Sequence, residues 1–173
     1  MSPKKWGPPI WTFFHMLAEK IKEDRFSSIG PQLFHFIISI CNNLPCPECT
    51  NHAKMFLSRV DPKKVNNKKT LQDLLFVFHN VVNKRKHKQL FRYVEFLSLY
   101  KDKNIIDAFN DFVKAYATDG NMKLMTDNFH RKFLINSLKK WFIQNIANFD
   151  IIISKPHPNP GPSPSPAPNS PEN

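Results

Sequence analysis

Apolar residues recur every three or four positions along most of this chain, which is the spacing of residues on one face of an α-helix. The first run of this kind consists of Ile10, Phe13, Phe14, Leu17, Ala18 and Ile21. Pro8 and Pro9 directly precede this run, and we place them in the first turn of the predicted helix, where proline is tolerated. A second run covers residues 33–41, after Gly30-Pro31, and ends at residues 42–45, whose types stop helices. The pattern therefore predicts two helices before residue 46.

Two further helices are predicted on either side of Asp61-Pro62. Pro47 suits the first position of a third helix, because proline lacks the backbone donor that this position leaves unused. Its inner face would carry Cys49, Ala53, Phe56 and Leu57. The sequence Thr70-Leu71-Gln72-Asp73 resembles a capping box, so we expect a fourth helix to begin there. Its apolar positions are Leu71, Leu74, Leu75, Phe78, Val81 and Val82.

The rest of the chain divides into shorter helical patterns and a proline-rich end. Residues 90–100, 105–117 and 129–146 repeat the helical spacing, and no run alternates as a strand would. We expect an all-α fold: a four-helix bundle with a short fifth helix in residues 1–100, and additional helices in residues 101–153, whose role is open. The composition of residues 154–173 favours a disordered tail, either inert or a polyproline ligand.

Length and charge narrow the class of protein. A chain of 173 residues with an apolar-poor end has room for about one core. The formal net charge of +11 lies in the body of the chain and favours an anionic partner: a phosphate group, nucleic acid or an acidic protein. No segment approaches the roughly 20 apolar residues that span a bilayer, and the N-terminus lacks an apolar signal core. We therefore expect a soluble, unsecreted protein.

Two of the three cysteines, Cys46 and Cys49, have the C-x-x-C spacing, which in a reducing compartment indicates redox chemistry or a metal site. A thiol is nucleophilic only as thiolate, and the amide groups at a helix N-terminus stabilise the thiolate form. Cys46 lies at such a position. Cys49 lies three residues on, within disulfide distance but on the face turned into the bundle. One sulfur can therefore meet a substrate while the other meets a buried group.

Other interpretations of the cysteines are open at this point. A zinc site would use Cys41, Cys46, Cys49 and His52, although Cys41 falls within the second helix and zinc folds usually separate their ligand pairs further. A thioredoxin-like site would need a preceding β-strand, which the sequence does not predict. Packing cysteines are a third interpretation. Cys41 itself is either a buried, inert thiol or an intersubunit or resolving one.

Three blocks in the chain carry a family resemblance. They are Gly7-x-x-x-Trp11-x-x-x-His15, then Leu44-Pro45-Cys46-Pro47-Glu48-Cys49 with His52-Ala53 after it, then Phe78-His79-Asn80-Val81-Val82-Asn83 with Lys88 following. The chain resembles the Erv/ALR sulfhydryl oxidases over roughly residues 6–100, especially the short versions encoded by large cytoplasmic DNA viruses. The order and spacing of the three blocks make the resemblance specific.

The resemblance implies FAD as the cofactor and a role for each matched residue. By similarity Cys46 and Cys49 are catalytic, with Cys49 beside the flavin ring and Cys46 exchanging with substrate. The cofactor-binding residues that we expect are Gly7, Trp11, His15, His52, Phe56, His79, Asn80, Val82, Asn83, Lys86, Lys88 and Tyr93. No metal is expected.

The spacing within the blocks suits a flavin. Trp11 and His15 are four residues apart and share one helix face, and His79 and Asn83 repeat that geometry. The basic cluster of residues 84–88 lies where cations could pair with a pyrophosphate. Taken singly, an aromatic–histidine pair is more often core packing, and a basic cluster at a helix end is more often solvated. It is the combination around the cysteine pair that favours the cofactor.

The implied reaction has two halves. A dithiol reduces the Cys46–Cys49 disulfide by exchange, and the reduced flavin then passes electrons to molecular oxygen, forming peroxide. A shuttle cysteine pair found in many family members is missing, so the expected partner is a protein dithiol or a small thiol carrier protein. A homodimer, the host cytoplasm and the virion are also expected by resemblance. Nucleic-acid binding is a rival function, or a secondary one, motivated by the charge and by aromatic residues such as Phe91 and Phe96.

Overall fold

The computed structural model of the protein describes residues 3–117 and 125–151. The helices in these ranges are α1 (Pro3–Lys20), α2 (Phe26–Asn42), α3 (Pro47–Leu57), α4 (Lys68–Arg85), α5 (Tyr93–Lys101), α6 (Ile105–Tyr116) and α7 (Met125–Asn145). Within the same ranges no strand forms, apart from an isolated bridge between Ile21 and Phe149. The predicted all-α fold is confirmed. The tail at residues 154–173 lies outside the described residues.

The first two helices begin earlier than the sequence suggested. α1 begins at Pro3, so Pro8 and Pro9 lie inside the helix rather than in its first turn. The carbonyls that lose their donors to these prolines belong to Lys4 and Lys5, two exposed residues whose backbone water can reach. The extension also buries Trp6, whose side chain is only 5% exposed. The burial of this large apolar side chain favours the longer helix.

α2 begins at Phe26, which places Gly30 and Pro31 within the helix instead of before it. Phe26 is buried, and its ring lies directly against Gly30. A Cβ atom added at Gly30 would lie 2.6 Å from Cε1 of Phe26, closer than real contacts allow. Gly30 is therefore a packing glycine that admits the Phe26 ring, and not a helix stop signal.

The capping residues of α3 and α4 set where each helix begins. Pro47 occupies the first turn of α3 as predicted, with Cys46 as the N-cap. In α4 the cap is Asn67, not Thr70: Asn67 Oδ1 accepts from the Thr70 N–H at 2.8 Å. Thr70 Oγ1 in turn accepts from the Asn67 N–H at 3.2 Å, which completes a capping box. The predicted start of α4 was wrong because Thr70 takes the third helical position and an asparagine takes the cap.

Helix α1 lies at the centre of the fold and contacts α4, α5 and α6, while α2 contacts α3 and α7. Phe13 of α1 stacks on Phe112 of α6, with ring centroids 4.7 Å apart. Helices on both sides of residue 101 thus contribute to one continuous apolar core. None of the helices in the described ranges is long and apolar enough to cross a bilayer.

Candidate active site

The two cysteines of the C-x-x-C sequence form a disulfide at the start of α3. The Cα atoms of Cys46 and Cys49 are 5.2 Å apart. The Cys49 backbone N–H donates to Cys46 Sγ at 3.2 Å, so the sulfur of Cys46 is itself the cap of the helix. A donor at this position and the aligned amides of α3 would stabilise a negative charge on Cys46 once the pair is reduced. The pair therefore has the local geometry of a redox-active disulfide.

A cavity of about 270 Å³ lies behind the disulfide, between α1, α2, α3 and α4. Both cysteines line it, and Trp6, Gly7 and Trp11 of α1 form the wall contributed by the first helix. The lining is mainly apolar, with Arg85 and Lys86 at its edge. The redox pair thus borders a partly open, cation-rimmed space large enough for part of an aromatic ligand.

Two further hollows adjoin this cavity because they share lining residues with it. One, of about 400 Å³, includes Trp11 and Val82 from the first cavity and adds His79, Asn83 and Lys88. The other, of about 180 Å³, shares Val82 and adds Phe56, whose ring stacks on Phe78 at 4.4 Å. The three hollows together form an extended cleft around Trp11 and Val82.

A stack of aromatic rings forms one side of this cleft. The rings of Trp11 and His79 are parallel within 4° and their centroids are 4.1 Å apart. Behind them, His15 Nε2 lies 2.9 Å from His79 Nδ1, so one imidazole donates to the other. Burial lowers the pKa of His15 well below its ordinary value, and the neighbouring His79 lowers it further. Burial also lowers the pKa of His79, and with the charge of Lys88 it brings this pKa to about 4. Both rings are therefore neutral at pH 7.

Positive charge collects at the opening of the cleft. Lys86 and Lys88 follow the end of α4, and burial together with the Lys88 charge lowers the pKa of Lys86. Arg85 Nη2 lies 3.4 Å from Glu48 Oε1, an exposed ion pair that joins α4 to the start of α3. Such a pair contributes little to stability in water. The excess of cations over the single carboxylate of Glu48 makes the opening suitable for a phosphate-bearing ligand.

Comparison with known proteins decides the family. The model of the Erv1 / Alr family matches residues 8–101, more than half of the chain. The chain belongs to the Erv1/Alr family. It is 29% identical over 116 residues to the FAD-linked sulfhydryl oxidase of African swine fever virus (isolate Pig/Kenya/KEN-50/1950), an alignment covering 65% of this chain and 97% of the relative.

A second relative comes from Invertebrate iridescent virus 3, and its name carries the same FAD-linked sulfhydryl oxidase designation. The identity is 34% over 89 residues, covering 51% of this chain and 60% of the relative. No solved structure matches the chain. The family assignment therefore rests on the sequence comparisons.

The lining of the cleft in this Erv1/Alr member suits the chemistry of a flavin nucleotide. A Cβ added at Gly7 would meet no atom within 4 Å, so the helix face beside the disulfide is open. Trp6 lines the same cavity, and its Nε1 is buried with no hydrogen-bond partner among the residues that the structure describes. Flat aromatic walls, an available donor and cations at the opening together suit a large, planar, anionic cofactor.

Most of the cofactor-binding residues predicted from the sequence lie at the cleft. The ones that line at least one of its three hollows are Gly7, Trp11, His52, Phe56, His79, Val82, Asn83, Lys86 and Lys88. Their contact with the cofactor stays a prediction. Their convergence from α1, α3 and the end of α4 is the arrangement that such a role requires.

Three predicted residues do not reach the cleft. His15 is 3% exposed and lies behind His79. Asn80 is occupied by the backbone of Phe91, to which its Nδ2 donates at 3.1 Å and from which its Oδ1 accepts at 2.9 Å. The Tyr93 hydroxyl hydrogen-bonds Asp73 at 2.6 Å, nearer the start of α4. The positions of His15 and Asn80 suit residues that support the cleft from behind.

Sequence reasoning missed several residues that the structure brings to the redox cavity. Trp6, Ile10 and Phe14 of α1 line it. Phe78 and Arg85 of α4 line it as well, and the sequence analysis had placed them in the third block and in the basic cluster without assigning them to the site. Trp6, Ile10 and Phe14 are four residues apart in turn, so they share one helix face with the cavity. That spacing was visible in the sequence, but the assumption that α1 begins near Pro8 left Trp6 outside the helix.

Cys41 is a buried free thiol that also lines the redox cavity. Burial raises its pKa far above the ordinary value, so the thiol stays protonated and unreactive at neutral pH. This environment suits the interpretation of Cys41 as an inert packing residue.

Among the residues that the structure describes, no group of three or more His, Cys, Asp or Glu side chains is placed to hold a metal ion.

The neutral histidine pair predicts a pH dependence of stability. The pKa of His79 is about 4 in the folded protein against 6.5 ordinarily, so below pH 6.5 the unfolded chain binds protons that the folded chain does not. The contribution of His79 to the free energy of unfolding should therefore be at its maximum above pH 6.5 and decline as the pH falls towards 4. Urea denaturation at a series of pH values measures it. His79→Gln should show a shallower decline, and equal slopes in both proteins would contradict the prediction.

Proposed function

We propose that this chain is an FAD-linked sulfhydryl oxidase, which oxidises dithiols with the Cys46–Cys49 disulfide and delivers the electrons to molecular oxygen. The observation that carries the proposal is the disulfide itself, placed at the N-terminus of α3 and lining an aromatic cavity. Family membership and the names of the viral relatives support it.

Cys46 is the sulfur that we assign to exchange with substrate. A substrate thiolate attacks Cys46 Sγ, the Cys46–Cys49 bond breaks, and Cys49 leaves as thiolate. The second substrate thiolate then attacks its partner sulfur in the mixed disulfide, which releases oxidised substrate and a Cys46 thiolate. The N–H of Cys49, 3.2 Å from Cys46 Sγ, is positioned to stabilise that leaving thiolate. Two electrons thereby pass from the substrate to the cysteine pair.

Cys49 is the sulfur that we assign to the cofactor side. It shares a helix face with Ala53, which is 3% exposed, and so points towards the core. Trp11, His52 and Phe78 would hold the flat ring system beside it, and Lys86 and Lys88 would pair with the pyrophosphate. A bound FAD supplies the two-electron chemistry that side chains lack, with oxygen as final acceptor and hydrogen peroxide as product.

Substrate, assembly and location are finer parts of the proposal. A protein dithiol or a small thiol carrier protein is the substrate class that suits an exchange site at the half-buried Cys46. The relatives named above are viral, and we propose action in the host cytoplasm and the virion, as a homodimer. Nucleic-acid binding is a secondary activity that the net charge of +11 favours.

An absorption spectrum of the purified protein tests the cofactor directly. We expect a yellow protein with a flavin band and about one FAD released per chain on denaturation. Anaerobic addition of dithiothreitol should bleach the band, and air should restore it with formation of peroxide. A colourless protein with no affinity for added FAD would contradict the proposal, as would stoichiometric zinc in its place.

A further inference from the structure

The turn between α2 and α3 carries Cys46, so its geometry determines where the exchanging sulfur lies. Two side-chain hydrogen bonds connect it to α2 and α3. Asn43 Nδ2 donates to the Ser39 carbonyl at 2.8 Å, and Thr50 Oγ1 donates to the Leu44 carbonyl at a long 3.4 Å. The last carbonyls of a helix lack partners within the helix and must find them elsewhere.

Tyr116, the last residue of α6, supplies a partner for these carbonyls. Its hydroxyl lies 2.9 Å from the Asn43 carbonyl and 3.2 Å from the Ile40 carbonyl, and it shares its single proton between the two across more than 70 residues of sequence. The Ile40 carbonyl also accepts from the Asn43 N–H at 3.1 Å, so the Asn43 carbonyl is the one that depends on Tyr116. The side chain is fully buried. Burial raises the pKa of the hydroxyl well above its ordinary value, so the proton that makes these bonds is retained.

The Tyr116 ring is held by a column of aromatic side chains. It stacks on Phe112 one turn earlier in α6, with centroids 5.2 Å apart, and Phe112 stacks on Phe13 of α1 at 4.7 Å. Because these rings are buried and packed on both sides, the hydroxyl has little freedom to leave its position. α6 thus connects the centre of α1 to the turn before the redox pair.

We propose that Tyr116 is a positioning residue for the redox pair: its hydroxyl fixes the end of α2 and thereby the turn that presents Cys46. The proposal rests on the redox function of Cys46 and Cys49 proposed above. Tyr116 lies beyond residue 101, where the family match ends, and gives α6 a role in the chemistry of the site. Freer motion of the turn would lower the effective concentration of one sulfur at the other.

Tyr116→Phe tests the proposal because it removes the hydroxyl and keeps the ring. The full chain is equilibrated anaerobically in glutathione buffers and quenched with an alkylating agent, and mass spectrometry measures the fraction of Cys46–Cys49 disulfide. We expect the equilibrium constant for disulfide formation to fall about two- to tenfold, the range for loss of one neutral hydrogen bond. Amide hydrogen exchange in residues 43–50 should become faster in the variant.

Ile105→Ala is the matched control. Ile105 is a fully buried residue at the opposite end of the same helix, eleven positions before Tyr116. We expect this variant to be less stable yet to keep the disulfide equilibrium of the natural protein. An unchanged equilibrium in Tyr116→Phe, or an equal shift in Ile105→Ala, would overturn the proposal. The measurement requires no flavin, so a failure of the cofactor assignment would show separately in the spectrum.

Discussion

Replacing either Cys46 or Cys49 by serine should reduce dithiol oxidation by at least about a thousandfold, the order of loss seen when a catalytic group is removed. Without the second sulfur no disulfide forms at the start of α3, and the two substrate electrons have no acceptor. Flavin content should stay close to that of the natural protein, because the walls and cationic opening of the cleft are untouched. Oxygen uptake with dithiothreitol and the flavin absorbance measure the two effects.

The two serine variants should differ in a second measurement that separates the roles of the sulfurs. In Cys49→Ser the remaining thiol is Cys46, whose thiolate is stabilised by the helix N-terminus. It should attack glutathione disulfide and gain a glutathione adduct, releasing one glutathione. In Cys46→Ser the remaining Cys49 lies inside the first turn of α3, on the same face as the buried Ala53, and should react more slowly. Faster adduct formation in Cys46→Ser, or full turnover in either variant, would refute the assignment.

Gly7→Leu should remove the flavin without weakening the fold. The space around a Cβ at position 7 is open, so the added side chain extends into the cavity rather than into packed atoms. We expect the bound FAD fraction to fall at least about tenfold, while leucine in place of glycine stabilises the helix by up to about 1 kcal/mol. The ratio of flavin to protein absorbance and thermal denaturation of the cofactor-free protein report the two effects.

Gly7→Ala is the graded comparison for this prediction. A single methyl group gains nearly the same helix stability but fills much less of the cavity, so flavin retention should be intermediate. A Leu variant that keeps its full flavin content would show that the cofactor does not approach this face of α1. A large loss of stability would instead show that the position is not open. The opposite signs of the two expected effects distinguish displacement of a ligand from misfolding.

The sequence predicted the existence of every described helix, because apolar periodicity persists wherever one face is buried. It placed some helix ends wrongly where a contact between residues three or four positions apart was not recognised. Gly30-Pro31 has the form of a helix break, yet the Phe26 ring that rests on Gly30 belongs to a residue that the pattern left outside the helix. Asn67 became the cap of α4 because its short side chain reaches the Thr70 amide.

The sequence also predicted which residues lie at the site better than it predicted how deeply each of them is buried. Residues inside the three sequence blocks, such as Trp11 and His79, lie at the cleft because helical spacing fixes which face they share. Their depth depends on partners far along the chain, and this could not be foreseen: His15 lies behind the ring of His79, 64 residues away. The contribution of Tyr116 was likewise invisible, because nothing local in the sequence indicates which carbonyls a distant hydroxyl will meet.

The stacking of Phe13 on Phe112 also bears on how the protein can be divided. Phe13 has no exposed surface in the folded chain, and rings from α6 and α7 lie within 6.2 Å of it. An expression fragment ending at residue 101, where the family match stops, would uncover this side of α1 to water. A recombinant fragment limited to the shared family region would therefore expose a hydrophobic surface on α1 and self-associate through it.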